Sequence, residues 1–220
     1  MVKAVIFDMD GLMVDTEVIS YEGYSCFLKD YGVENLTKEE YCLCFAGKSL
    51  QNGLIYARDY FHLNYSIEEG VQYFINKEKE IFARDGAALK PGLVELLDYL
   101  KEHNIKMAMA TSSGLQRVHK ILDPHNVLHY FDDIICGDMV KKGKPAPDIF
   151  LKACETLNVK EEDAIVLEDS ETGILASYRA KVPVICIPDM KVPSDEHKEM
   201  TAAILPSLHD VITYIESKEG

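Results

Sequence analysis

The sequence predicts an α/β fold: a doubly wound, parallel-sheet, Rossmann-like core with an inserted α-helical cap. Three observations predict it. Short, largely apolar runs recur at 4–7, 106–111, 132–136, 164–168 and 183–187, as expected of strands covered on both faces in a parallel sheet. From Leu89 onward these runs alternate with helical patterns, which argues for right-handed crossovers between neighbouring strands. Between Thr16 and about Gly86 only helical patterns occur, at 17–31, 37–46, 49–61 and 67–85. The expected core is therefore discontinuous, residues 1–14 and 87–220, with a cap over 15–86 inserted after the first strand.

The first strand, Ala4-Val-Ile-Phe7, runs straight into Asp8-Met-Asp10-Gly11. Residues two apart in extended chain project to the same side, so Asp8 and Asp10 converge just beyond the strand's carboxyl end. Open α/β sheets bind ligands at that end. Two neighbouring carboxylates repel unless a cation binds or one is protonated. Asp8 suits a nucleophile and Asp10 an acid/base, while Gly11 permits a tight exit from the strand.

The inserted helices leave hinges near Asp15 and near Ala87-Ala88, and a cap closing over the site would exclude water and complete substrate contacts. Gly47-Lys48-Ser49 interrupts the helical pattern, which makes Lys48 a candidate substrate contact or else part of a simple interhelical turn.

Later strand ends repeat the design of the first. Lys106-Met-Ala-Met-Ala-Thr111-Ser112-Ser113-Gly114 ends in hydroxyls, where Thr111, Ser112 and free backbone N–H groups suit an anion; ordinary helix capping by Ser112 or Ser113 is the competing explanation. In Lys144-Pro145-Ala-Pro147-Asp148 the proline restricts Lys144, giving a fixed cation ahead of a helix that begins near Pro147. Ala164-Ile-Val-Leu-Glu168-Asp169 is another strand running into paired acids, and hard oxygen ligands from two strand ends suit magnesium.

Together these segments supply a carboxylate nucleophile, an acid/base partner, an anion cradle, a cation and metal ligands, which is the equipment of phosphoryl transfer. Their order and content resemble the haloacid dehalogenase superfamily, specifically its β-phosphoglucomutase-like branch of small-molecule phosphatases and mutases, over essentially the whole chain. The resemblance implies that Asp8 becomes an aspartyl phosphate and that Asp10 protonates the leaving oxygen and then activates water. It implies that Thr111 and Lys144 bind phosphate, and that Glu168 and Asp169 hold Mg²⁺ with Asp8 and the backbone carbonyl of Asp10. Mutases of this branch tend to carry a histidine shortly after the Asp-Thr pair, whereas this chain reads Glu17-Val-Ile-Ser20. Ser20 offers no imidazole, which favours a phosphatase acting on a small phosphorylated molecule such as a sugar phosphate, with a β-phosphoglucomutase as the alternative.

Composition narrows the other classes. A formal charge of −14 argues against a nucleic-acid surface and against anionic membranes. The start lacks a basic segment with a long apolar core, so a cytoplasmic location is expected. The six cysteines include one close pair, Cys42 and Cys44, with no second pair to complete a zinc site, and all six read as reduced thiols. A phosphoacceptor signalling receiver would place its aspartate after a later strand and has no use for a cap of this size. A metal-free dehalogenase would not need Asp10 or the Glu168-Asp169 pair.

Overall fold

The structure, a computed structural model, describes residues 2–46 and 48–219. Gly47, part of the expected interhelical break, lies outside the described residues. The chain divides into two compact units, Met1–Val14 with Leu89–Gly220, and Asp15–Ala88. The second boundary falls two residues beyond the expected one. Asp15 N–H donates to the Ala88 carbonyl at 2.9 Å, which ties the two ends of the inserted segment together and keeps Ala87 and Ala88 with it.

The first unit is built on β1 (Ala4–Phe7), α5 (Leu93–Glu102), β2 (Lys106–Thr111), α6 (Leu115–Leu122), β3 (Asp133–Cys136), α7 (Asp148–Leu157), β4 (Ala164–Glu168), α8 (Glu171–Ala180), β5 (Val184–Cys186), α9 (Asp195–Lys198), β6 (Ala203–Ile204) and α10 (His209–Glu219). The strands form one six-stranded sheet in the order β3-β2-β1-β4-β5-β6, with every pairing parallel. The order reverses direction at β1, between β2 and β4, and this topological switch point is where open α/β sheets leave a crevice for ligands. Every residue of β1 is fully buried. Lys3, paired with Asp163 at 2.9 Å, and Asp8 bracket that apolar run. A one-residue slip would draw one of these charges into the core at a cost of several kcal/mol, so the pair fixes the register that aims Asp8. Ile6, Ala108, Val166, Ile149 and Phe150 belong to the core cluster beneath the strands. Strand β6 escaped the sequence pattern because it has only two residues, one of them exposed.

The second unit holds α1 (Thr16–Asp30), α2 (Lys38–Cys44), α3 (Leu50–Tyr60) and α4 (Ile67–Asp85). Capping boxes, Thr37 with Glu40 and Ser66 with Glu69, start α2 and α4. The interior is aromatic: Tyr24 lies 4.3 Å from Phe45 and 4.4 Å from Phe74 between ring centroids, and Phe27 lies 4.9 Å from Tyr65. Gly53 makes room for this packing, since a Cβ there would sit 2.0 Å from the Tyr24 hydroxyl. A cavity of about 140 Å³ opens among Glu17, Ser20, Tyr24, Tyr41, Lys48 and Glu78.

Candidate active site

Asp8 leaves β1 with its N–H still donating to the Leu167 carbonyl at 3.1 Å, so the sheet ladder carries it to the switch point. Gly11 then turns the chain at φ +82°, and a Cβ at that position would meet Asp169 Oδ2 at 2.3 Å. Glycine here therefore serves both the turn and the close approach of Asp169.

Lys144 joins the two strand ends. Its Nζ donates to Asp8 Oδ1 at 2.5 Å and to Glu168 Oε1 at 2.6 Å, and its side chain is only 5% exposed. The Lys144–Pro145 bond is cis. The other oxygen of Glu168, Oε2, accepts from Asp169 N–H at 3.1 Å, Ser170 N–H at 3.0 Å and the Ser170 hydroxyl at 2.9 Å. Gly173, in the first turn of α8, is required by this arrangement because a Cβ there would meet Glu168 Oε1 at 1.8 Å. Glu168 thus holds Lys144 with one oxygen and the start of α8 with the other.

These groups shift one another's protonation. Burial, reinforced by Glu168 and Asp10 and opposed by Lys144, pushes Asp8 up to about 7. Asp169 is raised well above the usual carboxylate range by burial and by the charges of Glu168, Asp8 and Asp189. Burial disfavours the Lys144 ammonium, but the Asp8 and Glu168 carboxylates outweigh it and raise its pKa. With all three carboxyl groups ionised, one lysine would leave an excess of negative charge, and ligand oxygens of Asp8, Glu168 and Asp169 lie within 4.8 Å of one another. A cluster of hard oxygen donors with uncompensated charge fits a divalent cation such as Mg²⁺.

Asp10 sits outside that cluster. Its Oδ2 accepts from the Ser113 hydroxyl at 2.8 Å and its Oδ1 from Arg117 Nη2 at 3.0 Å. Thr111 ends β2, buried, and its hydroxyl oxygen accepts from Ser113 N–H at 3.0 Å. Neither Ser112 nor Ser113 caps α6: Gly114 is its N-cap, without a side-chain cap bond, Ser113 donates to Asp10, and Ser112 is exposed beside the strand end. Lys48, in the other unit, donates to the Cys44 carbonyl and lies 5.2 Å from the Tyr56 ring centroid. Sequence reasoning missed Arg117, Ser113 as an Asp10 partner, and the Lys90–Asp189 ion pair of 2.6 Å.

The crevice at the switch point of this Rossmann-like α/β core is thus lined by an aspartate pair, a buried lysine and a second acidic pair. Comparison with known proteins supplies the family. The sequence profile of haloacid dehalogenase-like hydrolases matches residues 5–187. A "Phosphorylated carbohydrates phosphatase" of Thermotoga maritima is 34% identical over 185 residues, 82% of each chain. A "Probable pseudouridine-5'-phosphatase" of Drosophila melanogaster is 32% identical over 212 residues, covering 93% of this chain and 89% of its own. Among solved structures, CbbY from Rhodobacter sphaeroides in complex with phosphate superposes with a TM-score of 0.75 at 27% identity, covering 96% of both chains. The chain belongs to the haloacid dehalogenase-like hydrolase family, and its homologues make it a phosphomonoester hydrolase. No helix among the described residues is long and apolar enough to cross a membrane.

Proposed function

We propose that the protein is a magnesium-dependent phosphatase that hydrolyses a small phosphomonoester, a sugar phosphate in the first instance, through an aspartyl phosphate on Asp8. The observation that carries this reading is the joining of Asp8 to Lys144 and Glu168 beside Asp169. Lys144 holds Oδ1 of Asp8, which orients the carboxylate so that its other oxygen attacks phosphorus. The P–O bond to the leaving group breaks, and Asp10 gives its proton to the departing alkoxide. Water then attacks the phosphoenzyme, Asp10 takes its proton, and Asp8 is regenerated with release of inorganic phosphate. Splitting the displacement in two replaces one hard step by two easier ones. Lys144, with Thr111 and Ser112 in support, binds the transferring oxygens.

Asp8, Glu168, Asp169 and the Asp10 carbonyl would hold Mg²⁺, which when bound supplies charge neutralisation for the transferring phosphoryl group. Lys48 is proposed as a substrate contact of the cap. The mutase alternative is weaker: Ser20 carries no imidazole, and it hydrogen-bonds the Tyr41 hydroxyl, which also donates to Glu17 Oε2 at 2.5 Å. Serine in that setting has no means of delaying Asp10, and a phosphoenzyme exposed to an activated water is hydrolysed.

A panel of phosphomonoesters, assayed for released phosphate with and without magnesium, tests the reading. Turnover of a sugar phosphate that is abolished by chelation and restored by magnesium is expected. Full activity after thorough chelation overturns the metal assignment, and conversion of β-glucose 1-phosphate to glucose 6-phosphate with little free phosphate replaces the phosphatase by the mutase.

A further inference from the structure

Arg117 lies 107 residues from Asp10 in sequence, in the first turn of α6, yet its guanidinium donates to Asp10 Oδ1 at 3.0 Å while Ser113 donates to Oδ2 at 2.8 Å. We infer that Arg117 is a positioning residue that, together with Ser113, sets the orientation of the Asp10 carboxylate in the reaction. The inference rests on the acid/base role proposed for Asp10.

A carboxylate at the end of an aspartate rotates about a broad, roughly two-fold torsion, and nothing in β1 itself constrains a side chain beyond the strand's end. One donor would fix a single oxygen and leave the carboxyl plane free to swing. Two donors on different oxygens fix the plane. Both come from one short segment, and that segment is anchored: Ser113 N–H donates to Thr111 Oγ1 at 3.0 Å, Arg117 and Val118 N–H donate to the Gly114 carbonyl at 2.9 and 3.2 Å, and Val118 is fully buried. Thr111 ends the strand that pairs directly with β1, so the Asp10 carboxylate is referenced to the same sheet register that places Asp8.

Stability does not account for the pair. Arg117 and Asp10 side chains are 31% and 33% exposed, and ion pairs so open to water are screened and contribute little to folding. The planar fork of arginine holds a carboxylate plane where a lysine would supply only a point charge, so Arg117→Lys is expected to restore part of the function and not all of it. Partial exposure also leaves the pair free to yield when a substrate enters, which a buried pair such as Lys144–Asp8 would resist.

The test is a double-mutant cycle of Asp10→Asn and Arg117→Ala, with Arg117→Lys as the conservative control, on the intact protein with magnesium and an alkyl phosphomonoester. Arg117→Ala is expected to lower kcat on the order of 10–10²-fold, a fraction of the 10²–10⁴-fold supplied by a well-placed acid/base, with KM changed by less than about 3-fold. The thermal midpoint should move by no more than about 3 °C, and Arg117→Lys should recover part of kcat. The double variant should be no slower than Asp10→Asn alone, because an orienting residue has nothing left to orient. A raised KM with kcat unchanged would make Arg117 a substrate-binding group, and additive losses would make it act independently of Asp10; either overturns the inference. If Asp10→Asn is slow and Arg117→Ala is normal, the inference alone fails. If Asp10→Asn itself turns over normally, the acid/base reading fails first.

Discussion

Asp8 and Asp10 are chemically identical and two residues apart, yet the side chain of Asp8 is 10% exposed and bound to a lysine that is itself buried, whereas that of Asp10 is 33% exposed and held by an arginine and a serine from the turn that opens α6. The difference follows from where the strand stops. Asp8 still hydrogen-bonds through its backbone to β4, so its side chain is committed to the crevice between β1 and β4, where Lys144 and Glu168 close around it. Asp10 lies past the ladder, in the Gly11 turn, and its partners are on the β2 side. The difference suits the roles proposed for the two: a nucleophile gains from being fixed and dry, and a group that must hand over a proton and take one back gains from contacts that can yield.

The sharpest way to break this comparison is to neutralise each carboxylate. If Asp8 attacks phosphorus as proposed, Asp8→Asn removes the attacking oxygen anion, so rapid-quench mass spectrometry should find no phosphoenzyme and turnover should fall by at least on the order of 10⁴-fold. Asp10→Asn keeps the nucleophile and should lose on the order of 10²–10⁴-fold, with the loss smaller on a substrate whose leaving oxygen needs no proton. A normal rate for Asp8→Asn would require water to attack phosphorus directly. Equal losses on good and poor leaving groups for Asp10→Asn would remove its role as the acid.

The buried half of the comparison also predicts how stability responds to pH. Burial raises Asp8 from 3.8 to about 7 and moves Asp169 in the same direction. Between those values the folded, metal-free protein binds a proton that the unfolded chain does not, so this contribution is complete below about pH 4 and is lost as pH rises through about 7. The loss is on the order of a few kcal/mol, since each tenfold difference in proton affinity between the folded and unfolded chain is worth about 1.4 kcal/mol. With chelator present, the thermal midpoint should therefore carry a falling contribution from pH 4 to pH 7. Magnesium, binding the carboxylate forms, should stabilise most at the upper end and flatten or reverse that trend. A midpoint with the same pH dependence in chelator and in magnesium would break the link between the carboxylate cluster and the cation.

Much of this half of the site was legible in the sequence because strand ends announce themselves. Each of Asp8, Thr111 and Glu168-Asp169 follows an apolar run directly, and the glycines at 11 and 173 mark close approaches that the structure makes at Asp169 and Glu168. In the other half Asp10 was legible in the same way, but its partners were not. Arg117 sits in an ordinary amphipathic helix, where an arginine has no local feature to distinguish it from a solvated charge, and its partner is supplied only by the tertiary fold. The same holds for Lys90 and Asp189, 99 residues apart. The serine pair shows a finer limit: Ser112 and Ser113 are interchangeable as capping or anion-binding residues until backbone phase decides that Ser113 faces Asp10 and Gly114 starts the helix. The domain edge had a similar ambiguity, since Gly86 ends α4 with φ +69° but the Asp15–Ala88 bond carries the unit two residues further.

The smallest expected effect concerns Lys48, which belongs to neither half of the comparison. Its ammonium donates to the Cys44 carbonyl and lies near the Tyr56 ring, contacts that an exposed lysine exchanges readily for water, and it borders the cavity of the second unit that also presents Glu17 and Ser20. If it touches the substrate, it contributes to binding in the ground state and in the transition state alike. Lys48→Ala should then raise KM for the preferred phosphomonoester on the order of 3–10-fold and leave kcat within about 2-fold, the pattern of lost uniform binding. The effect should fade with substrates lacking the leaving-group hydroxyls that a lysine donates to. Steady-state kinetics on a graded series of polyol phosphates makes the distinction: an unchanged KM across the series confines Lys48 to the interhelical turn, and a fall in kcat equal to that in kcat/KM would give it a part in the chemical step.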